Sequence, residues 1–243
     1  MNFSAFSIAI ICCTAFLTGI SRAAVPGLGV LLASLVAQVM PVRASTGFLL
    51  PILVIADIMA VIYWRRIVVW HNLLRILPWT GIGILIGYFL MGFMKESLFK
   101  PLLGGMILVF VGLDFARRGF GIELKVKNRL FIALIGILVG AFTMMANAAG
   151  PIMTIYLLSM DLPKEDFLGT SAWFFMMINI IKIPFSLSLG LITWNYLKID
   201  LALAPIIFLG GVVGVYVVRK IPQKFFDIIV KVLAAVAGLK LLF

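Results

Sequence analysis

Long apolar stretches recur along this chain, separated by short polar loops. Their lengths predict ten helical segments in two sets of five. The first set covers 4–21, 28–40, 44–65, 73–94 and 98–116, and the second 129–146, 149–160, 165–190, 197–218 and 223–242. Most approach the roughly 17 to 25 residues a helix needs to cross a bilayer core. The second member of each set does not. About 12 helical residues rise only about 18 Å, against a core of about 30 Å. The breaks before these short members, Ser21-Arg22-Ala-Ala-Val-Pro26-Gly27-Leu-Gly29 and Ala146-Asn147-Ala-Ala-Gly150-Pro151, are rich in Pro and Gly. Pro removes an amide donor and Gly relaxes the backbone. Irregular backbone at membrane depth is tolerated where it is buried in protein or lines a cavity. Each set is therefore expected to open with a broken or re-entrant helix pair; the alternative is two ordinary helices joined by a tight turn.

The two sets are copies. Gly27, Pro41, Gly47, Asp57, Gly83, Gly87, Phe99 and Gly112 recur as Gly150, Pro163, Gly169, Asn179, Gly210, Gly214, Phe226 and Gly238, shifted by 122 to 127 residues throughout. The expected organisation is a first repeat over 1–118, a basic linker loop over 119–128 and a second repeat over 129–243. The fold class is all-α and polytopic. Each repeat holds a broken pair plus three transmembrane helices.

Composition agrees with the pattern. Of 243 residues, 64% are hydrophobic and 12% charged, far from the balance of a soluble domain. The net charge of +11 sits in short loops beside apolar segments, which marks topology rather than nucleic-acid binding. Loops at 65–75, 117–129 and 219–224 hold 11 of the 20 Lys and Arg and belong in the cytoplasm. The loop after the third segment is then inside in the first repeat and outside in the second, so the repeats are expected to be inverted, an architecture of alternating-access carriers. The adjacent Cys12 and Cys13 suit neither a disulfide framework nor a metal site and read as packing residues. Met1 to Gly19 lacks the basic start and cleavage site of a signal peptide and reads as a retained segment. The single His71 lies in a loop. No metal-ligand spacing, nucleotide loop or nucleophile–base pair appears, so neither a cofactor nor an enzymatic activity is expected.

Polar residues at membrane depth are costly and therefore functional candidates. Asp57 lies deep in the third segment, with a coupling role and a structural role both open. Asn179 and Lys182, three apart, share a helix face, and Thr170 and Ser171 precede them by two to three turns. Hydroxyls, an amide and one cation suit a small oxyanion such as sulfite, a sulfonate or a carboxylate. For Lys182 the alternative is snorkelling to the outer interface; for Trp173, closing over a ligand competes with interfacial anchoring, the favoured reading. Arg22 and the half-helix starting near Gly27, with Asn147 and Gly150 in the second repeat, would direct positive helix ends to the same region. The candidate binding set is Lys182, Asn179, Ser171, Thr170, Trp173, Asn147, Gly150, Arg22 and Gly27.

Leu49-Leu50-Pro51 through Asp57, with Tyr63-Trp64-Arg65-Arg66 and Trp70, and Gly169-Thr170-Ser171-Ala172-Trp173-Phe174-Phe175 with Asn179, Lys182 and Pro184, resemble the two signatures of the sulfite exporter TauE/SafE family. The resemblance covers nearly the whole chain. It departs at the repeat openings, where Pro26-Gly-Leu-Gly29 and Ala148-Ala-Gly150-Pro151 replace the family's glycine run. It implies export of sulfite or small organosulfur anions from the bacterial cytoplasm across the plasma membrane. The expected partners are therefore a small anion and the lipid bilayer, with a homodimer compatible with a carrier design though specified by no residue. An importer, a channel or a non-transporting scaffold are the alternatives.

Overall fold

The computed structural model describes residues 4–26, 28–93 and 129–226, together with 228, 229 and 232. Among these residues all regular structure is helical. In chain order the helices are α1 (Ala5–Ala24), α2 (Gly29–Val36), α3 (Val42–Trp64), α4 (Trp70–Phe93), α5 (Arg129–Ala146), α6 (Gly150–Leu158), α7 (Lys164–Ser188), α8 (Trp194–Ala202) and α9 (Ala204–Lys220). Among the described residues five helices, α1, α3, α4, α5 and α7, are long and apolar enough to cross a membrane, and α8 with α9 reaches that length and hydropathy only as a pair bent by 48°. The expected segment at 98–116 and the linker at 119–128 lie outside the described residues, as does most of 223–242.

The breaks fall where the Pro and Gly punctuation placed them. α2 and α6 hold 8 and 9 residues, far too few to span the core. Asn147 takes the left-handed conformation at φ 54°, which Asn tolerates better than most residues because its short polar side chain bonds locally. Gly150 and Pro151 then open α6, where Pro's missing amide costs nothing. Pro41 and Pro163 stand just before α3 and α7 with extended ψ of 140° and 148°.

One expectation is corrected. The stretch 197–218 is not a single helix: α8 and α9 meet at a bend of 48°. Pro205 has no amide to continue the ladder, and the Ile206 and Ile207 amides both donate to the Leu203 carbonyl, at 2.9 and 3.0 Å.

Packing between the halves is reciprocal. α1 of the first half lies along α9 of the second, and α5 of the second half lies along α4 of the first. Glycine makes both contacts close. A Cβ on Gly19 would strike the backbone of Ile207 and Gly211, and one on Gly140 the backbone of Thr80 and Ile84. At the centre α3 packs on α7. Gly47, near the start of α3, abuts Leu191 just past the end of α7, while Gly169, near the start of α7, abuts Trp64 and Ile67 at the end of α3. The two long helices therefore run antiparallel. Two apolar clusters flank them, one built on α4, α5, α6 and α7 and the other on α1, α3, α8 and α9.

The glycine contacts carry a stability prediction. Gly140→Ala drives a methyl group into the α4 backbone and should cost about 1–3 kcal/mol, read as a lower melting temperature of the detergent-solubilised protein. Gly81→Ala, with open space at its Cβ, should leave the melting temperature unchanged or raise it slightly. Equal melting of the two variants would refute the close crossing of α4 and α5.

Candidate functional site

The polar residues at depth converge on one cluster between the antiparallel helices. α1 brings Arg22 in its last turn, α3 brings Asp57 from its middle, α7 brings Asn179 and Lys182, and the end of α5 with its break brings Thr143 and Asn147. Asn179 Nδ2 donates to Asp57 Oδ2 at 2.6 Å. The residue and its copy in the duplication thus bond to each other across the α3–α7 contact. Arg22 Nε lies 3.2 Å from Asp57 Oδ1, an ion pair not aligned as a hydrogen bond, and its guanidinium covers the Phe175 ring at 4.2 Å.

Lys182 is 1% exposed, which rules out snorkelling. Its ammonium donates to Asn147 Oδ1 at 2.5 Å and to Thr143 Oγ1 and Asn179 Oδ1, each at 3.2 Å. Asn147 Nδ2 in turn donates to the Thr46 carbonyl at 3.0 Å. The two chain breaks also touch. Thr154 Oγ1 of α6 donates to the Pro26 carbonyl at 3.2 Å, and Gly29 of α2 approaches the Asn147 carbonyl. With all three groups ionised, Arg22, Asp57 and Lys182 leave one excess positive charge. Such a cluster is expensive to bury and is held by its pairing and hydrogen bonds. Its lysine donors rest on neutral oxygens, which a charged acceptor would outcompete.

Not all the expected residues gather there. Ser171, one turn before Phe175, is buried with its hydroxyl unpartnered. Thr170 is elsewhere: its Oγ1 accepts from the Val69 amide at 3.0 Å and docks the α3–α4 loop. Nine residues separate it from Asn179, about half a turn round the helix, so the two cannot share a face. The Trp173 ring lies on Trp70 with centroids 5.2 Å apart, away from the cluster. Gly150 starts α6, and Gly27 lies outside the described residues. Sequence reasoning missed Thr143, whose place three residues past Gly140 mirrors that of Arg22 past Gly19. It also missed Asp200 in α8, fully buried with both carboxylate oxygens unpartnered.

A helical bundle of multiple membrane spans, broken twice at depth around a charged and amide-rich cluster, has the design of a membrane transporter. The family model of the sulfite exporter TauE/SafE matches residues 11–241, and the chain belongs to that family. It is a family of membrane transporters of sulfite or related anions, not of enzymes. No curated protein and no solved structure matches the chain.

The cluster predicts its own energetics. Asp57→Asn leaves Arg22 buried without its counter-ion and should destabilise the protein by about 3–5 kcal/mol. Adding Arg22→Gln should recover at least about 1 kcal/mol of that loss. Thermal melts of the two single variants and the double variant check this; strictly additive losses would mean that the ion pair carries no coupling.

Proposed function

We propose that this protein is a secondary carrier that exports sulfite, or a small organosulfur or organic anion, from the bacterial cytoplasm across the plasma membrane by alternating access. The observation that carries the proposal is the meeting of two cations, Arg22 and Lys182, with one acid, Asp57, where both chain breaks touch, a set with one excess positive charge when all three are ionised. An entering oxyanion neutralises that charge by accepting from the Lys182 ammonium in place of Thr143, Asn147 and Asn179. The second N–H of each of the Asn147 and Asn179 amides supplies a further donor, which suits an acceptor with several oxygens. Asp57, already held by Arg22 and Asn179, keeps Arg22 in place and contributes no donor.

The reciprocal packing supports the inverted-repeat reading. α1 lies on α9 as α5 lies on α4, and α3 is antiparallel to α7, as a rotation exchanging the two membrane faces would require. A site on that axis can be opened to either face by equivalent movements. Export of a monovalent anion needs no coupled ion: an inside-negative potential of 100 mV favours exit by about 2.3 kcal/mol, roughly 50-fold in concentration at equilibrium.

Proteoliposomes holding the purified protein test the reading through uptake of labelled sulfite under an imposed potential. The wild type should move sulfite above the protein-free leak. Lys182→Ala, which removes charge-assisted hydrogen bonds worth about 1.5–3 kcal/mol, should weaken apparent affinity by roughly 10- to 100-fold. Absence of transport for sulfite, sulfoacetate and related acids defeats the carrier reading. Normal transport by the alanine variant defeats the site assignment alone.

A further inference from the structure

Among the described residues, Asp200 is the buried acid that the anion site does not use. It is 0% exposed and neither carboxylate oxygen has a hydrogen-bond partner. It follows Tyr196 by one turn and precedes Leu203 by one, so it shares their side of α8. Both belong to an apolar cluster with Ile11, Phe48, Ile52 and Ile207. The charged and titratable groups of the surrounding elements are engaged or placed elsewhere. On α3, Asp57 is bound by Arg22 and Asn179, and Arg43 stands in the first turn. On α9, Arg219 and Lys220 lie at the far end, over Tyr63 and Tyr216. From α1, Cys12 packs against the same cluster. On α8 itself Tyr196 meets the Phe48 ring edge-on at 5.6 Å, and Lys198 is exposed and about half a turn away. A buried carboxylate with no counter-charge is costly, and binding a proton removes the charge.

The duplication supplies a second, independent observation. α3 and α7 end at Trp64 and Ser188, and α4 and α8 begin at Trp70 and Trp194, a constant shift of 124 residues. By Pro78 and Pro205, and by Gly83 and Gly210, the shift is 127. The second half therefore carries three residues more between its Trp and its Pro. The 48° bend between α8 and α9 falls in that stretch, whereas α4 continues unbroken across Pro78. Asp200 stands three residues before the bend at Leu203. The first half has no acid in the corresponding stretch 70–78. An extra piece of chain, a break in the helix and an unpaired buried acid thus coincide, and breaks of this kind accompany coupling-ion sites in carriers.

We propose that Asp200 is a proton-binding site that couples the carrier to the proton gradient through the α8–α9 break. A proton from the aqueous phase bonds to a carboxylate oxygen to give the neutral acid, and the same proton returns to water when the site opens on the other side. The inference rests on the carrier reading above.

Two measurements test it. Dicyclohexylcarbodiimide attacks protonated carboxyls in apolar surroundings, so the purified protein is treated with it across a pH series and mapped by mass spectrometry. The adduct is expected on Asp200 at acid pH, fading as the pH rises, and absent from Asp200→Asn. In proteoliposomes with the potential clamped at zero, an imposed gradient of one pH unit should change wild-type accumulation of labelled sulfoacetate, which unlike sulfite keeps its charge across this pH range, corrected for protein-free leak, by up to about tenfold. Asp200→Asn should retain sulfoacetate exchange within about twofold while losing that response, and Asp200→Glu should recover part of it. An Asp200 that stays unlabelled at every pH, or an Asn variant that still follows the pH gradient, overturns the proposal. If the wild type moves neither anion but Asp200 labels as expected, the carrier reading has failed and the proton site stands. If either anion moves while Asp200 is inert, the reverse holds.

Discussion

A residue placed where two copies of the same helix cross antiparallel has its own copy as a neighbour. Positions 57 and 179, which the repeat pattern in the sequence pairs, face each other where α3 and α7 run antiparallel, and the 2.6 Å bond between them is the contact around which the rest of the buried chemistry is arranged. Two carboxylates so placed would repel at membrane depth, and two amides would leave Arg22 without a counter-ion. One acid and one amide satisfy both demands: the carboxylate takes the Asn179 amide on one oxygen and faces Arg22 with the other. Asn179 then has its carbonyl oxygen free to accept from Lys182. The divergence of one duplicated position thus links a cation on α1 to a cation on α7.

The cations are placed differently in the two halves. In the first, helix α1 supplies Arg22 and reaches α3. In the second, helix α7 supplies Lys182 and reaches Thr143 on α5, the residue three past Gly140 as Arg22 is three past Gly19. At the position matching Lys182 the first half has Ala60, fully buried. Equivalent helices therefore meet in equivalent ways, but the charge alternates between the two partners of each meeting. The outcome is one shared cluster of two cations and one acid instead of two separate ion pairs, and the proposed anion site rests on that imbalance.

Much of this was legible in the sequence because it follows from length and spacing. Segments 28–40 and 149–160 were too short to cross, and the structure shortens them to α2 and α6. The ordered glycines marked the close crossings, since only residues without a Cβ let α1 and α9, or α4 and α5, approach so nearly. The duplication also made 57 and 179 equivalent. It could not show that they touch, because a constant shift states correspondence and contact depends on where the axis falls. Lys182 was ambiguous because a lysine late in a helix can reach water or turn inward, and only the oxygens of Asn147 and Thr143, which come from another part of the chain, decide it. Thr170 was misassigned through helical phase, being half a turn from Asn179. Asp200 lies near the start of the expected segment 197–218, where an acid close to the end of a span does not stand out, and the rise in shift from 124 at Trp194 to 127 at Pro205 is what marks the inserted chain.

The same change in shift explains where the two sides of the molecule differ in packing. Beside the start of α4, the Trp70 and Trp173 rings meet at a tilt of 55°, with Met177 in the adjoining core. At the matching place beside α8 the residues are Trp194, Pro51 and Ile55, which border an apolar cavity of about 450 Å³, and Trp194 is 79% exposed. Pro51 and Ile55 on α3 are smaller than Trp173 and Met177 on α7, and the bend leaves α8 with only 9 residues. Segments with little buried apolar contact are the ones that move at least cost. Here the two sides differ: the Trp that opens α8 is 79% exposed beside an apolar cavity, whereas the Trp that opens α4 lies against Trp173.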